Sequence, residues 1–265
     1  MVGITRHCVK HNFLVKQVDG LANTIKKAFY LARTGRPGPV IIDVAKDVTQ
    51  ALHKFCYPQE QPFIRSYQPV IHAHKGQIKK AVQLFALAKR PVVFFGGGIV
   101  LANAEEELRR WIQLTGVPCV SSLMGLGAYS ASHPQFLGMV GMHGTYEANM
   151  AMQQADMVLA LGVRFDDRVI SVPEKYLATA KKIIHIDIDP SSIAKRVPVN
   201  VPIVGDIKLA LQAMTYQWEE KRLILDHKGL QCWWECIEQW RSFKSLNYSD
   251  DEQIIKPQYV IKSLA

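Results

Sequence analysis

The middle of the chain alternates short apolar runs with longer amphipathic segments. Between residues 76 and 218 the apolar runs fall at 91–95, 117–120, 157–161, 183–188 and 202–204. Continuous apolar runs of this length, bounded by glycine and polar residues, are typical of strands that are buried on both faces. The intervening segments repeat apolar residues at helical spacing. This alternation predicts an α/β fold, a doubly wound, Rossmann-like parallel sheet that is flanked by helices.

Residues 1–50 contain one helical pattern and one strand pattern. The helical spacing runs from Leu21 to Ala32, and glycine and proline end it before an apolar run at 39–43. One helix and one strand cannot bury their apolar faces alone, so we expect this part to be the end of a domain. The chain is therefore expected to be a piece of a longer protein. Residues 51–75 lose periodicity and collect prolines, which predicts a linker.

The formal net charge is +9, which suits anionic ligands such as phosphates. The Lys and Arg residues are scattered instead of forming a patch with interleaved aromatic residues, so we expect no nucleic-acid partner. No uncharged apolar run reaches about eighteen residues, so we expect no membrane-spanning segment. The N-terminal residues lack the apolar core of a signal peptide, and the expected location is cytoplasmic.

The cysteines favour reduced thiols over disulfides or a metal site. Their number is odd and their surroundings are mostly apolar; they are Cys8, Cys56, Cys119, Cys232 and Cys236. The last two are four residues apart, about one helical turn. A zinc site needs two further ligands at suitable spacing, and none lies nearby, so we expect no metal there.

Each predicted strand is followed by residues that suit close approach of a ligand. These are Gly96, Gly97 and Gly98 after the first strand, Ser121 to Gly125 after the second, Gly162, Val163 and Arg164 after the third, Asp187, Ile188 and Asp189 after the fourth, and Gly205 and Asp206 after the fifth. Glycines admit a phosphate chain, arginines bind it, and carboxylates accept hydrogen bonds from ribose or ribityl hydroxyls. In open α/β sheets ligands bind at this edge, so the pattern predicts nucleotide or dinucleotide binding.

The stretch 143–168 is the first place to look for the site, because a helix, a buried strand and a polar turn follow one another there. The alternative is a solvated loop in which Asp167 and Arg168 pair with one another or with neighbours. No catalytic triad can be built around His143 from the local sequence. A histidine in a glycine-flanked turn is more typical of a structural role or of packing against a ligand than of catalysis.

Several segments together resemble the catalytic large subunits of the acetolactate synthase, or acetohydroxyacid synthase, family. They are VKHNFLVKQVDG, GRPGPVIIDVAKDV, PVVFFGGG, SSLMGLGAYSASHPQFLGMVGMHGTYEANM, LGVRFDDRV, HIDIDPSSI and VPIVGDIKLAL. The likeness covers nearly the whole chain, and GMHGTYEANM and GVRFDDRV are its most specific parts. Related thiamine enzymes such as glyoxylate carboligase fit these two motifs less well.

The resemblance implies an enzyme of three α/β domains that uses thiamine diphosphate, Mg2+ and FAD. It condenses two pyruvates, or pyruvate and 2-oxobutyrate, with loss of CO2, in the biosynthesis of valine, leucine and isoleucine. The flavin has no net redox role in such an enzyme. The implied division is residues 1–50 as the end of the pyrimidine-binding domain, 51–65 as a linker, 66–220 as the central FAD-binding domain, 221–249 as a connecting helix and 250–265 as the start of the C-terminal domain.

The resemblance also assigns candidate site residues. Those implied for FAD are Arg6, Gly96, Gly97, Gly98, Ser122, Leu123, Met124, Val140, Gly141, Met142, His143, Gly162, Val163, Arg164, Asp166, Arg168, Val169, Asp187, Ile188, Asp189, Gly205, Asp206 and Ile207. Those implied for the substrate channel and its inhibitors are Lys10, Met142, His143, Asp167 and Arg168. The catalytic glutamate and the Mg2+ and diphosphate motif are expected outside this chain, which should be inactive alone.

Two hypotheses about the function of the chain stay open at the level of sequence. The first is the central part of a homodimeric or tetrameric enzyme, with or without a small regulatory subunit. The second is a stand-alone nucleotide-binding or assembly module. A gene that continues past Ala265 into a GDG…N motif favours the first reading, and a true stop there favours the second.

Overall fold

The computed structural model describes residues 2–179, 181–251 and 253–264. Its helices are α1 (Val2–Thr5), α2 (Leu21–Arg33), α3 (Lys46–Gln50), α4 (Lys75–Phe85), α5 (Gly97–Leu101), α6 (Glu105–Thr115), α7 (Tyr146–Gln154), α8 (Pro173–Leu177), α9 (Ile207–Glu220), α10 (His227–Arg241) and α11 (Pro257–Leu264). Its strands are β1 (His11–Val15), β2 (Val40–Val44), β3 (Pro91–Phe95), β4 (Cys119–Ser121), β5 (Phe136–Met139), β6 (Met157–Leu161), β7 (Lys182–Asp187) and β8 (Val201–Val204).

The main unit is a six-stranded sheet in the order β5-β4-β3-β6-β7-β8, and every neighbouring pair is parallel. Strands β3 and β6 are buried along their whole length and pair in register from Pro91–Met157 to Phe95–Leu161. The chain first winds outward from β3 to β5 and then from β6 to β8. This is the strand order of the Rossmann fold, and it places a switch point between β3 and β6. The predicted fold class is thus confirmed.

Helices cover both faces of this sheet. On one face, α4, α6 and α9 bury an aromatic cluster in which the ring centroids of Trp111 and Trp218 are 5.4 Å apart and those of Phe85 and Trp111 are 5.5 Å apart. On the other face, α7 and α10 pack together, and Trp233 and Ile237 of α10 are buried. Fully buried aromatic side chains of this size dominate the energetics of a core.

Helix α10 lies in the segment that the resemblance assigns to a connecting helix, and it packs on the core of the main unit. The indole nitrogen of Trp233 donates to the carbonyl of Pro91 at 3.1 Å, and that of Trp234 donates to Gly116 at 3.0 Å. Arg241 donates to the carbonyl of Phe136 at 3.1 Å. These three anchors tie α10 to both the central and the outer strands.

Residues 2–50 contain a separate small sheet in which β1 and β2 are parallel, with α2 packed against both. Strand β1 was not predicted from the sequence, because the polar residues His11 and Asn12 leave an apolar run of only three residues. Strand β5 was also missed, since Gly138, with φ of 103°, interrupts the strand pattern. Within the part of the chain that the structure describes, no helix is long and apolar enough to cross a membrane.

Candidate functional site

A cavity of about 780 Å³ opens at the carboxyl ends of the strands of the main sheet. It lies at the switch point between β3 and β6, where open α/β sheets bind their ligands. Its size is in the range of small-molecule and cofactor sites. The residues that follow β3, β4, β6, β7 and β8 all contribute to its lining, as the sequence predicted.

Two glycines allow the chain to pass closely at the switch point. A Cβ atom added to Gly98 would lie 2.5 Å from Cα of Gly162, and one added to Gly162 would lie 2.5 Å from Cα of Gly98. Gly162 also has φ of +58°, a left-handed conformation that glycine adopts without steric cost. The amide of Gly98 donates to the carbonyl of Gly162 at 3.2 Å. Any larger residue at either position would push the two loops apart.

The loop that follows β6 is supported from within the sheet by His185. This imidazole is fully buried, and its Nε2 donates to the carbonyl of Val163 at 2.8 Å. Because burial disfavours the imidazolium, the pKa of His185 is lowered to about 4, although the hydrogen bond to Val163 opposes this shift. The neutral ring therefore braces the turn that contains Phe165, whose φ is 50°.

Met142 and His143 are presented next to Arg168 by a network of backbone contacts. Asn149 accepts from the amide of Gly141 at 2.9 Å and donates to its carbonyl at 3.0 Å. The amide of Met142 donates to the carbonyl of Arg168 at 3.1 Å. The side chain of Met142 is 68% exposed. The flexible thioether side chain of Met142 is thus held at the rim of the cavity, where it can pack against a flat ligand.

Carboxylates and their partners form the β7 side of the cavity. Asp187 accepts from the amide of Asp189 at 2.9 Å, and Asp189 accepts from the amide of Ser191 at 3.0 Å. Burial raises the pKa of Asp187, and the charge of Asp189 adds to this effect. For Asp189, burial acts in the same direction, but hydrogen bonds from Ser191 and Arg36 prevail and lower its pKa.

Asp166 supplies an acceptor that the protein leaves unused. Its Oδ1 is buried and has no hydrogen-bond partner among the described residues, while the residue lines the cavity. A buried acceptor without a partner is costly. A ligand that presents a hydroxyl or N–H group to this atom would remove that cost. This acceptor therefore suits a polyol or a nucleotide.

Most of the predicted flavin residues line the large cavity. They are Gly97, Gly98, Ser122, Leu123, Met124, Val140, Met142, His143, Gly162, Val163, Arg164, Asp166, Arg168, Val169, Asp187, Ile188, Asp206 and Ile207. Asp189 and Lys10 instead line a smaller adjoining cavity. The residues outside both linings are Arg6, Gly96, Gly141, Asp167 and Gly205.

The residues outside the linings have different surroundings. The amide of Gly96 donates to the carbonyl of Leu161 at 3.0 Å, and the amide of Gly205 donates to that of Asp187 at 3.1 Å, so both extend the strand pairing. The backbone of Gly141 packs on that of Arg168. Arg6 and Asp167 are exposed, and their assignment to the flavin or the channel remains a prediction.

Sequence reasoning missed one wall of the cavity. Residues 33–37, at the end of α2 and in the loop that leads to β2 of the small sheet, line it together with residues of the main unit. The rule that ligands bind at the carboxyl ends of strands applies within one sheet, so it gave no signal for a loop from another unit. Further residues of the lining that were not named are Ile71, Phe94, Leu101, Ala102, Met139, Phe165 and Ser192. Met139 and Phe165 lie next to residues that were named, and only their neighbours pointed to them.

Comparison with known proteins gives a family match and several close relatives. Residues 78–214 match the family described as thiamine pyrophosphate enzyme, central domain. The whole chain is 48% identical to the acetolactate synthase large subunit of Haemophilus influenzae and 47% identical to the acetolactate synthase isozyme 3 large subunit of Escherichia coli, and it covers 46% of each. Over 99% of the chain, it is 41% identical to the acetolactate synthase of Mycobacterium leprae and covers 42% of it. The resemblance seen in the sequence is confirmed, and the chain spans a little under half the length of these relatives.

Proposed function

The chain belongs to the thiamine pyrophosphate enzymes and contains their central domain, and from this we propose that it is the middle portion of an acetolactate synthase large subunit. The observation that carries the proposal is its similarity, along its whole length, to large subunits of that enzyme from several bacteria. The whole enzyme would condense two pyruvates, or pyruvate and 2-oxobutyrate, with loss of CO2. Thiamine diphosphate would supply the electron sink for this chemistry.

The cavity at the switch point is proposed to hold FAD. Glycines at the ends of β3 and β6 allow the ligand to approach the backbone, and Arg164 lines the cavity with an exposed side chain. Asp187 and the unused Oδ1 of Asp166 are acceptors suited to hydroxyl donors. The flavin would act here as a structural cofactor. The chain's own residues would bind and orient it, and a hydroxyl or N–H group of the flavin would pair with the buried Oδ1 of Asp166.

The rim of the cavity is proposed to control access of the 2-oxoacids. Met142 and His143 lie beside the backbone of Arg168, and all three line the cavity. The positive charge of Arg168 at the mouth would attract anions such as 2-oxoacids. The residues that bind thiamine diphosphate and Mg2+ are proposed to lie in other parts of the whole enzyme.

The assembly and location are proposals of the same kind. The whole enzyme would be a cytoplasmic homodimer or homotetramer, and a small regulatory subunit would bind it. The exposed apolar side chains of α11, Val260, Ile261 and Leu264, are consistent with further contacts in a larger assembly.

A flavin titration of the purified chain tests the cofactor proposal. FAD binding is followed by quenching of flavin fluorescence and by the shift in unfolding temperature. We expect saturable binding that Arg164→Ala weakens about tenfold, the loss expected for one charge-assisted hydrogen bond. Asp187→Ala should weaken it by a similar factor.

The matched control is Arg110→Ala, since Arg110 pairs with Glu219 at 2.9 Å and lines neither cavity. It should leave the FAD affinity unchanged. A folded wild-type chain that binds no FAD at millimolar concentration would refute the proposal that this cavity is the flavin site.

A further inference from the structure

A second cavity of about 490 Å³ adjoins the first on the β7 side. The two cavities share Gly35, Arg36, Pro37 and Ile188 in their linings. Arg36 therefore stands at the boundary between them. No prediction from the sequence assigned a role to this residue.

Arg36 joins the small sheet to the main unit. Its Nη1 donates to Oδ2 of Asp189 at 3.1 Å, across 153 positions of sequence, and half of the Arg36 side chain is exposed. Half-exposed ion pairs of this kind typically contribute about 1 kcal/mol or less to folding. Stability alone is thus a weak account of an arginine that lines two cavities at once.

Asp189 is fixed by its own hydrogen bonds and in turn orients Arg36. Its Oδ1 accepts from the amide of Ser191 at 3.0 Å and from its hydroxyl at 2.7 Å. Its Oδ2 accepts from the guanidinium at 3.1 Å and from the hydroxyl of Ser192 at 3.4 Å. These bonds favour the ionised form of Asp189. An arginine held at one end by a fixed carboxylate loses little further entropy when its other donors bind a ligand.

The loop that carries Arg36 is also fixed from behind. The carbonyl of Thr34 accepts from the hydroxyl of Tyr67 at 2.6 Å and from Nζ of Lys10 at 2.7 Å. Nζ of Lys10 also bonds the hydroxyl of Tyr67 at 2.9 Å. Gly35 has φ of +54°, and an added Cβ there would lie 2.7 Å from the hydroxyl of Tyr67. The turn before Arg36 is therefore built for one conformation.

Arg36 has donors to spare within the described part of the chain. Its hydrogen bond to Asp189 uses Nη1, and Nε and Nη2 have no protein partner among residues 2–179, 181–251 and 253–264. A guanidinium has five N–H donors in a planar fork that matches phosphate oxygens. Asp187 and Ile188 line the same cavity beside it, so an acceptor for a sugar hydroxyl and a donor for a phosphate lie side by side.

We propose that Arg36 binds the nucleoside diphosphate part of the ligand, with Asp189 as its positioning residue. The inference rests on the proposed dinucleotide site and extends that site to the small N-terminal sheet. Loss of the guanidinium should lower the affinity of the chain for ligands that contain a nucleoside diphosphate. It should not affect a flavin ligand that lacks this half.

The test compares FAD, ADP and FMN on the full 265-residue chain by isothermal titration calorimetry. FAD contains both halves, ADP contains only the nucleoside diphosphate, and FMN contains only the flavin half. For Arg36→Ala we expect roughly a tenfold loss of affinity for FAD and for ADP, and no change for FMN. Asp189→Asn should lose a few-fold on the same two ligands. Arg110→Ala, which removes an exposed ion pair far from both cavities, should lose nothing.

The outcomes separate this inference from the proposal on which it rests. If the folded wild-type chain binds none of the three ligands, the proposal of a dinucleotide site is itself refuted. Wild-type binding that Arg36→Ala leaves unchanged overturns only the role of Arg36. An equal loss for FAD and FMN, accompanied by a lower unfolding temperature, would show that Arg36 supports the loop and does not contact the ligand, which also overturns the inference.

Discussion

His185 contacts the cavity wall only through its hydrogen bond to the backbone of Val163. Its protonation state nevertheless affects the stability of the whole fold. The ring is buried in β7 and donates from Nε2 to Val163, while Nδ1 has no partner among the described residues. A proton added to Nδ1 would create a buried charge with no acceptor. The native state therefore holds this ring neutral, and that preference couples folding to pH.

Acid should destabilise the protein through His185. Its folded pKa is about 4 and its ordinary value is 6.5, so the unfolded chain binds the extra proton between these two values. The free energy of unfolding is then at its full value above pH 6.5 and falls as pH drops toward 4, by up to about 3 kcal/mol from this group. Urea unfolding at pH 7 and pH 4.5 measures it.

A variant isolates the contribution of His185 from that of the carboxylates. His185→Gln can still donate to Val163 but does not titrate, so the difference in stability between pH 7 and pH 4.5 should shrink. His72→Gln, a change at an exposed histidine, is the control and should behave as the wild type. An unchanged pH difference in His185→Gln would show that this ring is not the acid-sensitive group.

At the scale of elements, the site depends on how closely β3 and β6 deliver their loops to one another. Gly98 and Gly162 touch through their backbones, and this contact sets the floor of the crevice. We expect Gly98→Ala to lower the free energy of unfolding by about 1–3 kcal/mol, the usual cost of overpacking. It should also weaken FAD binding, because the loops must separate.

Other glycines provide matched controls for this steric argument. Gly20 has nothing within 4 Å of an added Cβ and no left-handed φ, so Gly20→Ala should be close to neutral. Gly127 has φ of +92° but open space around it, so Gly127→Ala measures backbone strain without a clash. Urea unfolding and FAD titration of the three variants separate the two effects. If Gly98→Ala leaves the free energy of unfolding and the FAD affinity unchanged, the two loops can separate more easily than their backbone contact indicates.

At the scale of the whole molecule, the apolar pattern foretold the main sheet better than it foretold the site. Strands β3 and β6 are buried on both faces, so their sequence is nearly all apolar and their ends could be located. Strand β5 has a glycine with φ of 103°. Strand β1 begins with two polar residues and buries only Val15 fully, so neither strand shows the expected pattern. The glycine and carboxylate positions of the cavity followed from the strand ends.

The contribution of Arg36 could not be predicted in this way. It lies between a helix and the following strand of the small sheet, and only the folded arrangement brings it to Asp189. The pairing depends on how two units pack, which hydrophobic periodicity does not encode. Residues 33–37 thus show that the cavity is a property of the complete chain and not of the main sheet alone.

The function of the whole chain can be tested by replacement in a relative. The chain aligns over its full length with 46% of the Escherichia coli isozyme 3 large subunit, so it can replace the matching segment there. If the proposed function is right, the chimera should convert pyruvate to acetolactate, because the rest of that subunit supplies the segments outside the alignment. Acetolactate formation by the purified chimera is the measurement, with a second chimera that carries Gly98→Val as the control for a collapsed crevice. A chimera that folds and binds FAD but forms no acetolactate would argue that this chain serves a different reaction of the thiamine enzymes.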